Sequence, residues 1–141
     1  HYRSLWERNA FRHLDTAGWV KWWQSEETVI PYICATDRKP HRYFLDLTIR
    51  TQTGRTLLVE IKPSSQVTPP KRKKLNEALT YMKNTSKWKY AKQYADDRGY
   101  EFQIWTEKEL EAMGIRTMSM KFKASKTKVG KRIWKTLKKR V

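Results

Sequence analysis

Two runs of alternating apolar and polar residues constrain the fold of this chain more than any other part of its sequence. They cover residues 43–50 and 55–62, and the segment from Thr51 to Gly54 separates them. Such alternation is typical of strands, and a short glycine-containing connection between two of them predicts a hairpin. A three-residue loop that ends at Gly54 places Thr51 opposite Arg55, because glycine accepts the left-handed conformation that this loop requires.

The predicted register determines which side chains share a face of the hairpin. Asp46 lies opposite Glu60, and Phe44 lies opposite Lys62. One face then carries Asp46, Glu60 and Lys62. The other face is apolar throughout and consists of Leu45, Leu47, Ile49, Leu57, Val59 and Ile61. A slip of one residue would bury the acids, so the pattern favours this register.

The patterns on both sides of the hairpin indicate the fold class. Strands are predicted over 28–33 and 100–105, and the aromatic segment 19–23 is assigned to no element. Helices are predicted over 4–18, 71–83, 86–99 and 106–114. The first and last helices begin with capping-box spacings, Ser4 with Glu7 and Thr106 with Glu109. The helix 71–83 is expected to bury Leu75, Ala78, Leu79 and Met82. This order predicts an α/β domain in which helices flank a small mixed β-sheet.

The opposed acids are the first candidates for chemistry. Two like charges directly opposite each other destabilise a sheet, so the pair needs a compensating partner. A divalent cation would provide it, because carboxylate oxygens bind Mg²⁺ or Mn²⁺, and the backbone carbonyl of Ile61 would add a third ligand. Lys62 would then contact a scissile phosphate or position a water molecule, which fits metal-assisted phosphodiester hydrolysis. The alternative is an ordinary solvated face, because a D…ExK spacing alone is a weak motif.

Other candidate residues are less specific. Glu7 reaches the metal in one interpretation and completes a capping box in the other, and both stay open. Gln103 is interpreted as an exposed strand position rather than as part of the site. His13 and His41 lack a second ligand at zinc spacing, and no phosphate-binding glycine loop indicates a nucleotide cofactor.

The net charge of +17 points to a polyanionic partner, with nucleic acid as the first candidate. Residues 117–141 contain ten basic residues and no acid, so the other 116 residues carry only +7. We therefore divide the chain into a domain, residues 1–116, and a basic tail, residues 117–141. The candidate DNA contacts are Lys71, Arg72, Lys73 and Lys74 in the domain, and Lys131, Arg132, Lys135, Lys138, Lys139 and Arg140 in the tail.

The character of the tail stays open at this point. Apolar residues at helical spacing within it predict a short amphipathic helix that packs on the domain or on a partner. A solvated segment that holds polyanions without order is the alternative, and a membrane-surface helix is a weaker one. No apolar run in the sequence approaches the length that spans a membrane, and the one cysteine, Cys34, excludes an intrachain disulfide.

Several segments together resemble a known family, the head completion nucleases of T-even-type tailed phages. The matching segments are Tyr-Arg-Ser-Leu-Trp-Glu at 2–7, Glu-Thr-Val-Ile-Pro-Tyr at 27–32, Arg-Tyr-Phe-Leu-Asp at 42–46, Val-Glu-Ile-Lys-Pro at 59–63, Tyr81, Asn-Thr at 84–85, Lys-Trp-Lys at 87–89, and Phe-Gln-Ile-Trp-Thr-Glu at 102–107. The resemblance covers nearly all of residues 2–116. This family is similar to the endonuclease subunit of cut-and-paste transposons and belongs to the PD-(D/E)XK nuclease superfamily.

The resemblance implies a restriction-endonuclease-like core and assigns roles to individual residues. Asp46 and Glu60 would bind the metal, Lys62 would be the catalytic lysine, and Glu7 would be the acid of the first helix. Leu45 stands where the superfamily motif has proline. The implied function is processing of packaged DNA as the phage head is completed, in the host cytoplasm or at the portal and neck of the virion. The alternative is a structural DNA-binding protein of the head or neck whose nuclease site is idle.

Overall fold

The computed structural model describes residues 2–72 and 74–117. In chain order their elements are α1 (Tyr2–Thr16), β1 (Val20–Ser25), β2 (Val29–Ile33), β3 (Pro40–Phe44), β4 (Leu47–Thr51), β5 (Thr56–Ile61), a 3₁₀ turn (Ser64–Gln66), α2 (Leu75–Arg98), β6 (Glu101–Trp105) and α3 (Glu107–Ala112). Among these described elements there is no helix long and apolar enough to cross a membrane.

The central sheet has the order β1-β4-β5-β6. Strand β6 runs parallel to β5, and the other neighbours are antiparallel, so the sheet is mixed. Strands β2 and β3 form a separate antiparallel ribbon. The prediction of a small mixed sheet flanked by helices is confirmed. Strand β1, which contains Trp22 and Trp23, was not predicted.

The hairpin register is confirmed between β4 and β5 but not beyond them. Leu47 pairs with Val59, and Gly54 takes the left-handed conformation, with φ at 89°. However, the run 43–50 is not one strand, because the chain bends at residues 45 and 46 and passes from the ribbon to the central sheet. Phe44 therefore pairs with Val29, and the predicted pairing of Phe44 with Lys62 is wrong.

The two faces of the central sheet are both covered, so the alternative of an ordinary solvated face is wrong. One buried cluster includes Leu47, Ile49, Leu57, Val59 and Ile61 and packs against α1 and α3. The opposite cluster joins Leu58 to the ribbon and to Ala91 and Ala95 of α2. The bend places Leu45 in this second cluster, so its predicted position with the first five residues is wrong.

Helix α2 is continuous over 24 residues, and the predicted break near Ser86 is wrong. The Ser86 hydroxyl donates to the Met82 carbonyl 2.9 Å away and accepts from the Ala35 N–H at 3.1 Å. These bonds satisfy the hydroxyl inside the helix, so it does not act as an N-cap. Leu75, Leu79 and Met82 are exposed, contrary to the predicted burial.

The predicted helix ends at Gly99 and Thr106 are confirmed. Gly99 ends α2 in the left-handed conformation, and Thr106 and Glu109 form the predicted capping box of α3. The capping box at Ser4 is wrong, because α1 already includes Tyr2 and Ser4 lies within its first turns. Where the described chain ends, the Trp6 indole donates to the Thr117 carbonyl at 2.5 Å.

Candidate active site

Asp46 and Glu60 meet at one end of the central sheet. Asp46 lies in the bend immediately before β4, and Glu60 is near the end of β5. Because Leu47 pairs with Val59, the antiparallel geometry carries the two acids to the same level of the sheet. The predicted juxtaposition of the acids is therefore present, although a bend rather than a strand supplies Asp46.

Asp46 is held by backbone and by an arginine. One carboxylate oxygen accepts a hydrogen bond from the Ile61 N–H at 2.8 Å, and the other lies 3.4 Å from the Arg3 guanidinium. The residue is only 6% exposed. Burial, and after it the charge of Glu60, raises the pKa of Asp46 to about 7. The charge of Glu60 thus makes the ionised form of Asp46 less favourable.

Glu60 lies on the sheet face that the ribbon and α2 cover. It is 6% exposed, and one carboxylate oxygen accepts a short hydrogen bond from the Tyr43 hydroxyl. Burial raises the pKa of Glu60, and the Tyr43 bond together with the charges of Lys62 and Lys87 opposes that rise. Burial beside Glu60 also raises the pKa of the Tyr43 phenol, which keeps the hydroxyl protonated as a donor.

Two lysines provide positive charge at the site. The Lys62 ammonium lies 3.7 Å from a Glu60 oxygen, and its backbone N–H donates to the Trp105 carbonyl at 3.0 Å. Strand β6 therefore fixes the backbone of Lys62. From the other side, Lys87 of α2 lies over the Tyr43 ring, 5.4 Å from its centroid, and burial lowers the pKa of Lys87.

Arg3 connects Glu7 to the site, because its guanidinium contacts both Glu7 and Asp46. The Arg3 guanidinium contacts Glu7 at 3.0 Å, Glu26 at 3.4 Å and Asp46 at 3.4 Å. The bond to Glu7 is the largest of the effects that raise the pKa of Arg3. The capping interpretation of Glu7 is therefore wrong. The structure instead places Glu7 close enough to Asp46 to raise the pKa of that carboxyl.

The donors at this end of the sheet fit a hard divalent cation. Asp46 and Glu60 are buried carboxylates that repel each other, and a cation between them would remove that repulsion. Among residues 2–72 and 74–117, no group of three or more acidic, histidine or cysteine side chains is arranged to hold a metal. Further ligands would come from the Ile61 carbonyl, water or substrate, as the sequence suggested, or from Glu7 after it leaves Arg3. These assignments stay predictions.

The structure separates the remaining candidates from the acids. Gln103 accepts a bond from the Trp105 indole at 2.9 Å and pairs with Val59, so it lies on the opposite face of the sheet from Glu60. His41 contacts Asp37 at 2.7 Å, away from the site. The basic residues Lys71, Arg72 and Lys74 are exposed near the start of α2. The other predicted DNA contacts lie outside the described residues: Lys73, Lys131, Arg132, Lys135, Lys138, Lys139 and Arg140.

Sequence reasoning missed four residues that contact the site, Arg3, Glu26, Tyr43 and Lys87. The spacing of Arg3 and Glu7 is typical of an ion pair on a helix and was a usable signal. The contact of Tyr43 with Glu60 was not predicted because the run 43–50 was treated as one strand. The position of Lys87 was not predicted because a helix was expected to begin at residue 86. Glu26 has left-handed backbone, with φ at 56°, and its N–H donates to the carbonyls of residues 45 and 46.

Comparison with known proteins identifies the family. Residues 19–107 match the model of the TnsA-like endonuclease N-terminal domain, a range that contains Asp46, Glu60 and Lys62. The head completion nuclease of Enterobacteria phage T4 is 38% identical over an alignment of 125 residues, and the match covers 82% of this chain and 83% of that protein. No solved structure matches at a significant level. With its two acids and lysine inside the matched domain, the chain belongs to the TnsA-like endonuclease family, and it is a relative of the phage T4 head completion nuclease.

Proposed function

We propose that this protein is a metal-dependent DNA endonuclease that processes packaged DNA during completion of a phage head. The observation that carries the proposal is the pair of buried acids, Asp46 and Glu60, with the Lys62 ammonium 3.7 Å from Glu60. Burying two carboxylates that repel each other costs free energy, and such groups are concentrated at functional sites. The family match supports the nuclease activity.

The residues around the acids have distinct positioning roles. The Ile61 N–H fixes one oxygen of Asp46, and the Tyr43 hydroxyl fixes one oxygen of Glu60. The second oxygen lies near Arg3 in Asp46 and near Lys62 in Glu60. When bound there, Mg²⁺ or Mn²⁺ would neutralise phosphate charge and lower the pKa of a water molecule. Lys62 would contact the phosphate and stabilise the negative charge that develops as the phosphodiester bond breaks.

The biological setting rests on the phage relative. Its name, head completion nuclease, supports a nuclease role in completion of the phage head. Action in the host cytoplasm during assembly, with a portal, neck or head protein as a partner, is part of the proposal. The described part of the domain and the basic tail would supply phosphate contacts that do not depend on base sequence.

The test is cleavage of DNA by the purified full-length chain. We expect Mg²⁺ or Mn²⁺ to support nicking of a supercoiled plasmid and excess chelator to stop it. Asp46→Asn should abolish nicking while fluorescence anisotropy shows that DNA binding persists. If the intact chain binds DNA but cuts no supercoiled, linear, branched or single-stranded form with either metal, the site is idle and the protein is a structural DNA-binding component.

A further inference from the structure

The described residues form a cleft of about 900 Å³. One wall is the segment that follows β5, including Ser64 and Thr68, and the other is the first half of α2, including Tyr81 and Asn84. Lys108 of α3 also lines the cleft. Its size is at the upper end of the range for sites that hold small organic molecules.

Each wall is joined to a lysine of the candidate site by a short stretch of chain. Ser64 follows Lys62 by two residues, and Asn84 precedes Lys87 by three, which is about one turn or 4.5 Å along the helix. The Lys62 ammonium lies 3.7 Å from Glu60, and Lys87 lies over the ring of Tyr43, which donates to Glu60. A DNA strand with one phosphate at Lys62 would therefore place its neighbouring nucleotides in the cleft.

Asn84 is the most unusual residue of the lining. Asn84 is 5% exposed, yet its amide nitrogen and oxygen are not among the fully buried side-chain atoms that lack a partner in the described part of the chain. Nearby Ser86 on the same helix has its hydroxyl satisfied by two partners. The Asn84 amide on the cleft wall therefore stays available to donate to, or accept from, a ligand.

The remaining lining fits a nucleotide strand. It contains the cations Lys71, Arg72 and Lys108, and Glu77 is its one acid. Asn76 and Glu77 belong to the first turn of α2, which has no side-chain cap among the described residues. Uncapped helix N–H groups favour a phosphate. The Tyr81 ring adds a surface on which a base of any sequence can stack.

We propose that the cleft binds unpaired nucleotides of the DNA strand next to the phosphate held by Lys62. A base inside a duplex is stacked and paired, so it cannot reach the Tyr81 ring and the Asn84 amide on the wall of a concave cleft. The substrate class is therefore DNA with a single-stranded segment beside the cut, such as a splayed end or an overhang. This inference rests on the proposed nuclease function.

The experiment compares substrates of identical sequence that differ only in pairing. The full chain with Mg²⁺ is given a continuous duplex and a duplex with a splayed end, and initial cleavage rates are measured. We expect the splayed substrate to be cut about tenfold faster, because stacking of one base on an aromatic side chain has an effect of that order. Equal rates would overturn the proposal.

Substitutions in the cleft test whether it causes the faster cleavage of splayed DNA. Tyr81→Leu and Asn84→Ala should bring the ratio of the two rates towards one, and Tyr81→Phe, which keeps the ring, should retain it. Gln93→Ala changes an exposed residue of the same helix and should keep the wild-type ratio. Thermal unfolding checks that each variant is folded. If Tyr81→Leu and Asn84→Ala both fold and both keep the ratio, the assignment is wrong.

A binding measurement separates this inference from the proposed function. If neither substrate is cut, the nuclease proposal fails. Fluorescence anisotropy in the presence of chelator then measures the affinity for each substrate and tests whether the cleft binds unpaired nucleotides. Tighter binding of the splayed DNA that Tyr81→Leu removes would support the cleft, and equal affinity for both DNA forms would overturn it.

Discussion

The Tyr43 hydroxyl donates a short hydrogen bond to the Glu60 carboxylate, across the junction between the β2–β3 ribbon and the central sheet. The bond joins two residues that are 17 positions apart in the chain. It fixes one oxygen of an acid whose neighbour, Asp46, carries the same charge. The ribbon therefore does more than cover the sheet, because it also orients a candidate metal ligand.

Removing that hydroxyl should weaken metal use without unfolding the protein. We expect Tyr43→Phe to raise the Mg²⁺ concentration for half-maximal cleavage by about 10–100-fold, the usual effect of losing a group that orients a ligand. The pKa of Glu60 should rise further, since the Tyr43 bond lowers it, and the pH profile should shift upward. Tyr100→Phe, in the same cluster, is the control. An unchanged metal dependence would contradict the role of Tyr43.

Lys62→Ala should depress turnover far more than metal binding. The ammonium stabilises charge that develops on the phosphate, and losing one such group typically lowers the rate by about 10²–10³-fold. Metal affinity, measured by calorimetry, should change little because Lys62 is not a ligand. Lys21→Ala removes an exposed lysine of β1 and serves as the charge-matched control. Normal turnover in Lys62→Ala would refute the catalytic assignment.

The metal-free protein should lose stability as pH rises. The pKa of Asp46 is about 7 in the folded state, compared with about 3.9 in an unfolded chain. The folded protein therefore holds this proton more strongly, so the stabilisation is complete below about pH 4 and is lost as pH rises towards 7. The size of the loss is on the order of 2–4 kcal/mol.

Thermal unfolding in chelator at pH 5 and pH 8 measures this dependence. Asp46→Asn should flatten it and raise the melting temperature at pH 8. Asp97→Asn, on the exposed surface of α2, should keep the wild-type profile. A melting temperature for the wild type that is higher at pH 8 than at pH 5 would contradict the prediction.

Removal of residues 118–141 should weaken DNA binding and its dependence on salt. The truncation takes away ten basic residues and no acid, so the net charge falls from +17 to +7. Each phosphate contact that is lost lowers the slope of log affinity against log salt by about 0.9. The cut after Thr117 keeps the bond from Trp6 to the Thr117 carbonyl. Anisotropy titrations between 50 and 200 mM salt test the slope, and an unchanged slope would exclude the tail from DNA binding.

The sequence was informative where local patterns determine structure. The register of β4 and β5, the left-handed turn at Gly54 and the capping box at Thr106 follow from short-range alternation and turn chemistry. These features place Asp46 and Glu60 together, so the centre of the candidate site could be predicted without the structure.

The errors arose where tertiary contacts overrule a local pattern. Residues 43–50 alternate as one strand, yet the chain changes sheets at residues 45 and 46 because the ribbon pairs Phe44 with Val29. Ser86 resembles a cap, but Ala35 and Met82 satisfy its hydroxyl inside a continuous helix. Both errors concealed neighbours of Glu60, namely Tyr43 and Lys87, since their positions depend on packing between distant segments.

Because α2 is continuous, its exposed N-terminal end lies far from the residues that anchor the helix in the core. Its C-terminal half is anchored in the core at Ala91 and Ala95, whereas Leu75, 16 residues before Ala91, is 72% exposed. That separation is about 24 Å along the axis. A tilt of about 5° around the anchor moves Leu75 by about 2 Å but Lys87, one turn away, by only about 0.5 Å. Any change in the direction of α2 would therefore displace the outer wall of the cleft more than the lysine beside Glu60.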